Sequence, residues 1–200
     1  MNDTDLQKWQ TNSSKYLVKD RWLTVRADTC TTPEGHVIEP FYVLEYSDWA
    51  NCFVIDENND ILMVRHYRHG VDEYVLELVS GGLELIDNSP ESGMRRELEE
   101  ELGYLGGDVM QIGTTYPNAS SQTNKLHSFL AIGGSCRQAQ KLEPGENLQI
   151  VRIPLKEFAQ LLSPNNAEIF QSTHLVTMFL ALEMIRRSEL PALKELRKLL

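Results

Sequence analysis

The sequence is poor in cysteine, with three cysteines among its 200 residues. Cys30, Cys52 and Cys136 are odd in number, lie far apart and show no Cys-x-x-Cys spacing. Because a disulfide framework needs pairs and a structural zinc site needs closely spaced ligands, the sequence argues against both. Reduced thiols are typical of the cytoplasm, which is therefore the expected location.

The chain also lacks long hydrophobic runs. A membrane-spanning helix needs about 18 consecutive apolar residues, and no stretch of the sequence approaches that length. Residues 1–16 are polar and contain no apolar core of a secretory signal. We therefore expect neither a membrane partner nor secretion, although 42% hydrophobic residues are enough to form a folded core.

Positive charge is scarce as well. The 19 Lys and Arg residues face 29 Asp and Glu residues, which gives a net charge of −10. An acidic surface repels phosphate backbones, so nucleic acid is not an expected partner. If the substrate is a small phosphate compound, divalent cations would have to mediate its binding, because a bound metal is the largest local charge in such a site.

Hydrophobic periodicity predicts a mixed α/β chain. Turn-forming stretches such as 32–35 and 56–60 separate apolar, β-branched segments of strand length. The predicted strands are residues 15–19, 21–29, 36–46, 50–56, 60–67, 73–79, 108–115, 125–133 and 147–153. The tail, from about 154 to 200, is predicted to be helical, with a break at Pro191 and an apolar stripe of Leu175, Phe179, Leu180, Leu182 and Ile185.

A further helix is predicted from about residue 90 to residue 102. Ser89 is suited to cap its N-terminus, Pro90 to be its first residue, and Gly103 to end it. Apolar side chains at helical spacing predict a buried face formed by Met94, Leu98 and Leu102.

The same helix carries three carboxylates, Glu97, Glu100 and Glu101, whose spacing places them on one face. Two like charges about 4 Å apart repel by about 4 kcal/mol at an effective dielectric constant of about 20. A hard divalent cation such as Mg²⁺, which prefers oxygen ligands, would relieve this repulsion. The alternative is an acidic helix face that is simply solvated.

Residues 82–104 resemble the Nudix box, whose pattern is Gly, five residues, Glu, seven residues, Arg-Glu-apolar-any-Glu-Glu-any-Gly. The positions that match are Gly82, Arg96, Glu97, Leu98, Glu100, Glu101 and Gly103. Asn88 stands where the box has its first glutamate, which in the family braces the box arginine, here Arg96. Asp87 and Glu100 are the candidates to brace Arg96 in its place.

The resemblance implies a Nudix-type fold of the α+β kind, in which a mixed sheet is sandwiched between helices. Residues 1–45 would be an antiparallel strand extension that serves as a dimerisation lobe, and residues 46–200 the Nudix hydrolase domain with its C-terminal helices. A homodimer is the expected assembly.

By the same resemblance, the metal ligands would be Glu97, Glu100, Glu101 and the carbonyl group of Gly81. The metal would be Mg²⁺, or Mn²⁺ in its place. The general base would be Glu146, on the loop before a late strand, with Glu143 as the second choice. A box carboxylate, Glu100 or Glu101, is a further candidate for this role.

Residues 63–68 resemble the Val-Arg-Gln-Tyr-Arg strand of ADP-ribose and nucleoside-diphosphate-sugar pyrophosphatases. Arg65 and Arg68 are therefore candidates for binding the diphosphate, because guanidinium groups pair well with phosphate oxygens. The alternative is that they form salt bridges with Glu73 or Glu77. Glu77, one residue farther from Gly82 than the family's strand glutamate, is also expected at the substrate.

Two other features are candidates for substrate contact. Residues 116–125 resemble a Tyr-Pro loop that lies near the active site in the same subfamily. Trp9, Trp22 and Trp49 are suited to stack on an adenine, to line a dimer interface or to fill the core, and the sequence does not decide among these.

The expected function is hydrolysis of the pyrophosphate linkage of ADP-ribose or a related nucleoside diphosphate sugar. The products would be a nucleoside monophosphate and a sugar phosphate. One alternative keeps the chemistry but takes nucleoside triphosphates or dinucleoside polyphosphates as substrates. Another is a Nudix-fold module that binds its ligand without cleaving it.

Overall fold

The computed structural model describes residues 7–162 and 171–200. The described residues form two compact units. The first combines the chain up to Ser47 with Tyr116–Lys125, and the second contains the rest. The order of elements along the chain agrees with a mixed α+β fold.

The first unit is a three-stranded antiparallel sheet of β1 (Gln10–Lys19), β2 (Thr24–Thr31) and β3 (Val37–Glu45), in that order. The predicted N-terminal antiparallel extension is thereby confirmed. The strand predicted at 21–29 begins later, at Thr24, because the Asp20 carboxylate accepts the backbone N–H groups of Trp22 and Leu23 at 2.7 and 2.9 Å. This local turn removes residues 20–23 from the strand ladder.

The second unit is built on a mixed sheet. Its described strands are β4 (Trp49–Ile55), β5 (Asp60–Arg68), β6 (Glu73–Glu77), β7 (Val79–Gly82), β9 (Asp108–Thr115), β10 (Leu126–Ile132) and β12 (Leu148–Pro154). The main path runs β12-β5-β4-β10-β9, with β6 beside β5 and β7 beside β4. The β4 and β10 strands are parallel, and the other pairs are antiparallel. A separate short pair joins β8 (Tyr104–Leu105) to β11 (Ser135–Cys136).

The predicted turn at 56–60 joins β4 to β5. The Asp56 carboxylate accepts the backbone N–H groups of Asn58 and Asp60 at 2.8 and 3.0 Å. Asn59 takes the left-handed conformation that asparagine tolerates, with φ of 64°. The turn is therefore encoded by its own residues.

Helices cover both faces of the mixed sheet, as predicted. Helix α1 (Pro90–Leu102) packs on one face, where Met94, Leu98 and Leu102 join Cys52 and Val54 of β4 in a buried cluster. The other face is covered by α3 (Ser172–Arg187) and α4 (Pro191–Arg197). Their buried side chains meet Phe53, Ile55 and Met63 of the sheet. Successive β4 side chains thus point to opposite faces, as strand geometry requires.

The ends of α1 lie where the sequence predicts them. The Ser89 side chain accepts the N–H of Ser92, and the Ser92 hydroxyl accepts the N–H of Ser89, which forms a reciprocal capping box. Gly103 ends the helix in the left-handed conformation, with φ of 60°. These caps fix where the carboxylate-bearing turn of α1 lies.

The tail follows the prediction in outline but not in its buried stripe. A short 3-10 turn (Leu155–Glu157) and α2 (Phe158–Leu161) precede α3, and α4 begins at Pro191. The part of the predicted helical tail at 163–170 lies outside the described residues. Leu175 and Phe179 are exposed, Phe179 by 61%, while the buried stripe of α3 consists of His174, Thr177, Met178, Ala181, Leu182 and Ile185. The buried face of α3 therefore differs from the predicted one. It includes two polar residues, because Thr177 hydrogen-bonds to the hydroxyl group of Ser128 and His174 accepts the backbone N–H of Leu78.

Two predicted absences can be compared with the described residues. All three cysteines are free, in agreement with the prediction of no disulfide framework. None of the helices in the described part of the chain is both long and apolar enough to cross a membrane.

Candidate active site

The three carboxylates of α1 share one face, and two of them are buried. Glu97 and Glu101 are only 8% and 5% exposed, whereas Glu100 is partly exposed. The alternative of a solvated acidic face therefore does not describe Glu97 and Glu101. Because Met94, Leu98 and Leu102 anchor the helix in the core, the carboxylates beside them are held against the sheet.

Gly81 of β7 lies directly against this carboxylate group. A Cβ atom built on Gly81 would lie 2.0 Å from Oε1 of Glu97, so any side chain at this position would displace the Glu97 carboxylate. Glycine therefore lets the carboxylate lie directly against the strand. It also places the backbone of Gly81 beside Glu97, as the predicted set of metal ligands requires.

Arg96 is braced by the two groups that the sequence offers in place of the box glutamate. Its guanidinium group contacts both carboxylate oxygens of Asp87 at 3.3 Å and one oxygen of Glu100 at 2.9 Å. It also lies 3.0 Å from the Glu97 carboxylate. Although burial acts to raise the pKa of Asp87, the hydrogen bond from Arg96 lowers it below its ordinary value. Both alternatives that the sequence offers for bracing Arg96, Asp87 and Glu100, contact its guanidinium group.

The two buried carboxylates have unusual titration behaviour. Burial raises the pKa of Glu97 to about 7, although neighbouring Arg96 opposes the shift. Burial raises the pKa of Glu101 well above its ordinary value, and the negative charges of Glu97 and Glu146 add to the effect. Oε2 of Glu101 has no hydrogen-bond partner within residues 7–162 and 171–200. Carboxylates that are desolvated and incompletely paired are typical of functional sites.

The chemistry of this group fits a hard divalent cation. Carboxylate oxygens are the ligands that Mg²⁺ and Mn²⁺ prefer, and the unpartnered oxygen of Glu101 is free to serve as one. In the described part of the chain, however, no three acidic, histidine or cysteine side chains already surround one point. In this arrangement the guanidinium group of Arg96 forms ion pairs with Glu97 and Glu100. A cation would have to replace those two ion pairs.

Of the two predicted loop bases, Glu146 acts electrostatically on the carboxylate group. Its negative charge raises the pKa of both Glu97 and Glu101, which places it within electrostatic range of them. Its side chain is half-buried and accepts the backbone N–H of Glu143 at 2.8 Å. Glu143 itself is exposed. The structure therefore favours Glu146 over Glu143 by position.

The two arginines of β5 lie in different places. Arg68 forms a salt bridge with Glu77, with its Nε atom 3.0 Å from both carboxylate oxygens. The salt-bridge alternative thus describes Arg68 in this structure. Arg65 lines a separate cavity of about 310 Å³ with Tyr74, Asn147 and Gln149. Since the two arginines are three positions apart on one strand, they point to opposite faces of the sheet.

Glu77 is fully enclosed. It has no solvent-exposed surface, and its carboxylate accepts hydrogen bonds from Arg68 and from the side-chain amide of Gln171. Direct contact with a substrate, as predicted from the sequence, is not what this geometry supports. The contacts of Glu77 instead hold the guanidinium group of Arg68 in place.

A second cavity, of about 280 Å³, lies beside the same pair of glycines. Its lining residues, which define what we call the Asn51 cavity, are Trp49, Asn51, Arg68, Ser80, Gly81, Gly82, Gln171, Thr173 and His174. The sequence offers no signal for Asn51, Gln171 or His174, because each is an isolated polar residue in a strand or near a helix end. Only the packing of α3 onto the sheet brings them together.

The tryptophans and the loop at 116–125, which the sequence suggested as substrate contacts, belong partly to the first unit and partly to the second. Trp9 packs edge-on against Phe41, with ring centroids 5.8 Å apart, and Trp22 is exposed, both in the first unit. Trp49 lines the Asn51 cavity in the second unit. The loop at 116–125 belongs to the first unit, where Ser121 and Thr123 hydrogen-bond to the backbone of Leu44.

Known proteins resemble the chain over most of its length. An ADP-ribose pyrophosphatase of Bacillus subtilis (strain 168) is 27% identical over 60% of this chain and 64% of its own length. An ADP-sugar pyrophosphatase of Mus musculus is 26% identical over 74% of this chain and 66% of its own length. The chain therefore spans slightly less than two thirds of these relatives.

The fold itself has a solved counterpart. A crystal structure of an ADP compounds hydrolase superposes with a TM-score of 0.74, covering 90% of this chain and 96% of that chain at 19% identity. At this identity the likeness supports the fold alone, and it agrees with a mixed sheet between helices.

Two family models match adjacent parts of the chain. Residues 9–44 match one described as the nucleoside diphosphate sugar hydrolase N-terminal domain. Residues 46–173, which include β4 to α1 and the carboxylates of the candidate site, match the NUDIX domain. Because this second match covers more than half of the sequence and contains the site described above, the chain belongs to the Nudix family.

Proposed function

We propose that the chain is a Nudix pyrophosphohydrolase that cleaves ADP-ribose or a related nucleoside diphosphate sugar with Mg²⁺, or with Mn²⁺ in its place. The products would be a nucleoside monophosphate and a sugar phosphate. The observation that carries the proposal is the pair of buried carboxylates, Glu97 and Glu101, packed beside the backbone of Gly81. The names of the relatives and of the N-terminal match support the substrate class.

Glu97, Glu100, Glu101 and the Gly81 carbonyl group would hold the divalent cations. A cation bound there would neutralise the diphosphate and stabilise the leaving phosphate. Glu146 is the proposed general base, because it lies within electrostatic range of the carboxylates and is half-buried. It would accept the proton of the attacking water molecule.

Arg68 is the proposed contact for the diphosphate. Its side chain is 39% exposed and lines the cavity beside Gly81 and Gly82, while Glu77 holds it from behind. A guanidinium group fixed in this way is suited to bind phosphate oxygens without losing much side-chain entropy. Glu77 is thus proposed as a residue that positions Arg68. Arg65 lines a separate cavity and is a less favoured candidate for binding the same diphosphate.

We also propose that the chain forms a homodimer through its first unit. All ten residues of β1 are exposed, including the large apolar side chains of Tyr16, Leu17 and Val18. An exposed strand with apolar side chains is suited to pair with a second copy. Light scattering after size-exclusion chromatography would test this, and a monomeric mass at micromolar concentration would contradict it. The predicted cytoplasmic location stays a prediction.

A substrate panel tests the proposed reaction. The purified chain is incubated with Mg²⁺ and, separately, ADP-ribose, GDP-mannose, UDP-glucose, NADH, diadenosine polyphosphates and nucleoside triphosphates, and the phosphate-containing products are identified. We expect turnover of ADP-ribose or a nucleotide sugar to a nucleoside monophosphate and a sugar phosphate. Preferred turnover of triphosphates or dinucleoside polyphosphates would overturn the substrate class. Binding without cleavage of any compound would overturn the proposed activity.

A further inference from the structure

The last carbonyl groups of α1 are bound by a loop that is distant in sequence. A helix leaves its last four carbonyl groups without a partner inside the helix. The N–H of the C-cap residue donates to the carbonyl oxygen of Glu99 at 2.9 Å. The backbone N–H of Lys141 donates to the carbonyl oxygen of Glu100 at 2.8 Å, and the side-chain amide of Gln140 donates to that of Glu101 at 2.6 Å. The last two contacts define what we call the clasp.

An ion pair of the same loop contributes less than the clasp. Nζ of Lys141 lies 2.7 Å from the Glu99 carboxylate, and the two side chains are 60% and 38% exposed. Ion pairs in solvent contribute little, because water and salt screen their charges. The clasp instead satisfies carbonyl groups that have no partner within the helix, and leaving such groups unpaired is more costly. The clasp therefore anchors the loop more firmly than the ion pair does.

The clasp lies immediately before the turn that carries Glu146. Between them, Leu142 packs against the buried cluster on the α1 side of the sheet. The turn is closed by two hydrogen bonds. The N–H of Glu143 donates to Oε2 of Glu146 at 2.8 Å, and the N–H of Glu146 donates to the carbonyl oxygen of Glu143 at 2.9 Å. Since β12 begins at Leu148 and pairs with β5, the turn is fixed at both ends.

The helix that carries the carboxylates thus also holds the loop that carries Glu146. Glu101 shows this most directly, because its side chain is buried in the carboxylate group while its backbone carbonyl group binds Gln140. The negative charge of Glu146 raises the pKa of Glu101, so the two carboxylates lie within electrostatic range of each other. A shift of the loop along α1 would therefore change the separation between Glu146 and Glu101.

We propose that the clasp sets the position of Glu146 relative to the carboxylates of α1, and that Gln140 is a positioning residue for the general base. This inference rests on the proposed function, in which Glu146 accepts the proton of the attacking water molecule. Lys141 contributes through its backbone, whereas Gln140 contributes through its side chain. The specific requirement for a side chain therefore falls on Gln140, an isolated glutamine in a polar loop.

Hydrogen exchange tests the clasp without metal and without turnover. Gln140→Met keeps the length of the side chain and removes its donor, whereas Gln138→Met makes the same change at an exposed position of the same loop. Amide exchange rates are measured by NMR in EDTA on the unaltered chain and both variants. In Gln140→Met, the amides of Lys141, Glu143 and Glu146 should exchange at least about fivefold faster, because the loop loses one of its two clasp contacts. Gln138→Met should leave these rates unchanged.

Steady-state kinetics test whether the clasp acts through the base. With the preferred substrate of the panel, Gln140→Met should lower kcat about tenfold, because displacement of a catalytic group by about 1 Å can cost about 100-fold. KM should change less than about twofold, since the proposed diphosphate contact at Arg68 is untouched. In a chain that already carries Glu146→Gln, the same substitution should lower kcat less than about twofold further, because no base remains to be positioned. A merely structural role would give equal losses in both backgrounds.

A rescue variant separates loss of the donor from a general loss of structure. Gln140→Lys keeps a donor at the end of an unbranched side chain, so its exchange rates and kcat should stay within about threefold of those of the unaltered chain. Circular dichroism compares the fold of all variants.

Several results would overturn the inference. An unprotected Lys141 amide in the unaltered chain would exclude the clasp without any variant. Equal exchange rates in Gln140→Met and Gln138→Met would show that the clasp does not hold the turn. Faster exchange with unchanged kcat, or equal losses of kcat with and without the Glu146 carboxylate, would show that Gln140 does not act through the base. If the unaltered chain hydrolyses no compound of the panel, the proposed function fails, and the exchange rates still decide whether the clasp holds the turn.

Discussion

The two faces of the mixed sheet carry opposite chemistry beside the same pair of glycines. On the α1 side, Glu97 and Glu101 are buried and their pKa values are raised, and Oε2 of Glu101 has no hydrogen-bond partner among the described residues. On the α3 side, the polar residues Asn51 and His174 line a cavity that no described aspartate or glutamate lines. Because β4 alternates its side chains between the two faces, one strand serves two environments. Gly81 joins them, since it contacts Glu97 and lines the cavity.

The comparison shows that one sheet separates a carboxylate-rich environment on the α1 side from a cavity on the α3 side that is lined mostly by neutral polar groups. In the proposed function, phosphate binding on the α1 side would depend on cations that reverse the local charge. The two sides should therefore respond differently to metal removal and to substitution.

The largest effect is expected from Glu101→Gln. This change removes the carboxylate from the most buried acidic residue of α1 and should lower kcat at least about 1,000-fold, since a proposed metal ligand is lost. The fold should persist, because glutamine has the same shape as glutamate and Oε2 of Glu101 makes no hydrogen bond among the described residues that the change would remove. The matched control is Glu99→Gln. Glu99 lies on the same helix but is not one of the three carboxylates, and it forms a salt bridge with Lys141. Turnover by Glu101→Gln at the rate of the control would refute the metal assignment.

The next largest effect is expected from Gly81→Ala. The added Cβ atom would fall 2.0 Å from Oε1 of Glu97 and displace that carboxylate. We expect about a 100-fold loss of kcat/KM, because misplacement of a catalytic group by about 1 Å can cost this much. Gly70→Ala is the control, since nothing lies within 4 Å of its added atom. Steady-state kinetics of both variants measure the difference, and similar losses in the two would disprove the close-contact argument.

A third test uses the stability of the metal-free chain as a function of pH. The pKa of Glu97 is about 7 in the folded chain and near 4.5 when unfolded, so the folded state retains a proton that the unfolded state releases. The contribution of Glu97 to the free energy of unfolding is therefore largest below pH 4.5, falls as pH rises towards 7, and then levels off. The contribution of Glu97 to this fall is about 3 kcal/mol.

Urea unfolding in EDTA at several pH values measures this effect. In Glu97→Gln, the free energy of unfolding should no longer show the part of its decrease with pH that comes from Glu97. In Glu99→Gln, the decrease should be the same as in the unaltered chain. If Glu97→Gln shows the same pH dependence as the unaltered chain, then Glu97 is not the buried titrating group. On the α3 side, Asn51→Ala should leave this dependence unchanged, because an asparagine does not titrate.

The smallest effect concerns the bracing of Arg96. Asp87→Asn weakens the contacts at 3.3 Å and should lower kcat/KM about tenfold, since Arg96 keeps its contact with Glu100. Asn88→Glu restores the glutamate of the box and should change kcat/KM less than about twofold, because Asp87 already fills that role. A large gain in activity from Asn88→Glu would show that Asp87 is an inadequate substitute.

Much of the α1 side could be predicted from the sequence, because its determinants are local. The caps at Ser89 and Gly103 act through hydrogen bonds within a few residues, and helical spacing alone groups Glu97, Glu100 and Glu101. The Asp56 turn is likewise encoded by neighbouring residues. Bracing of Arg96 by Asp87 could be foreseen because the two lie close together in sequence.

The α3 side could not be predicted in the same way. The predicted buried face of the tail helix was wrong at Leu175 and Phe179, which are exposed. Hydrophobic periodicity selects apolar positions for the buried face, whereas in the structure His174 and Thr177 are buried by hydrogen bonds to Leu78 and Ser128. Strand alternation separates Arg65 from Arg68, but its functional consequence depends on which face each cavity occupies. The burial of Glu77 depends on Gln171, which lies 94 residues away in sequence.

The sequence by itself determined the family, the helix that carries the carboxylates, its ends and the mixed α+β pattern, because these follow from short-range hydrogen bonding and periodic spacing. The tertiary structure decided which carboxylates are desolvated, where each arginine points and how Asn51 meets His174. Those properties arise from burial and from contacts between residues far apart along the chain, and their free energies exist only once the sheet and its helices have packed together.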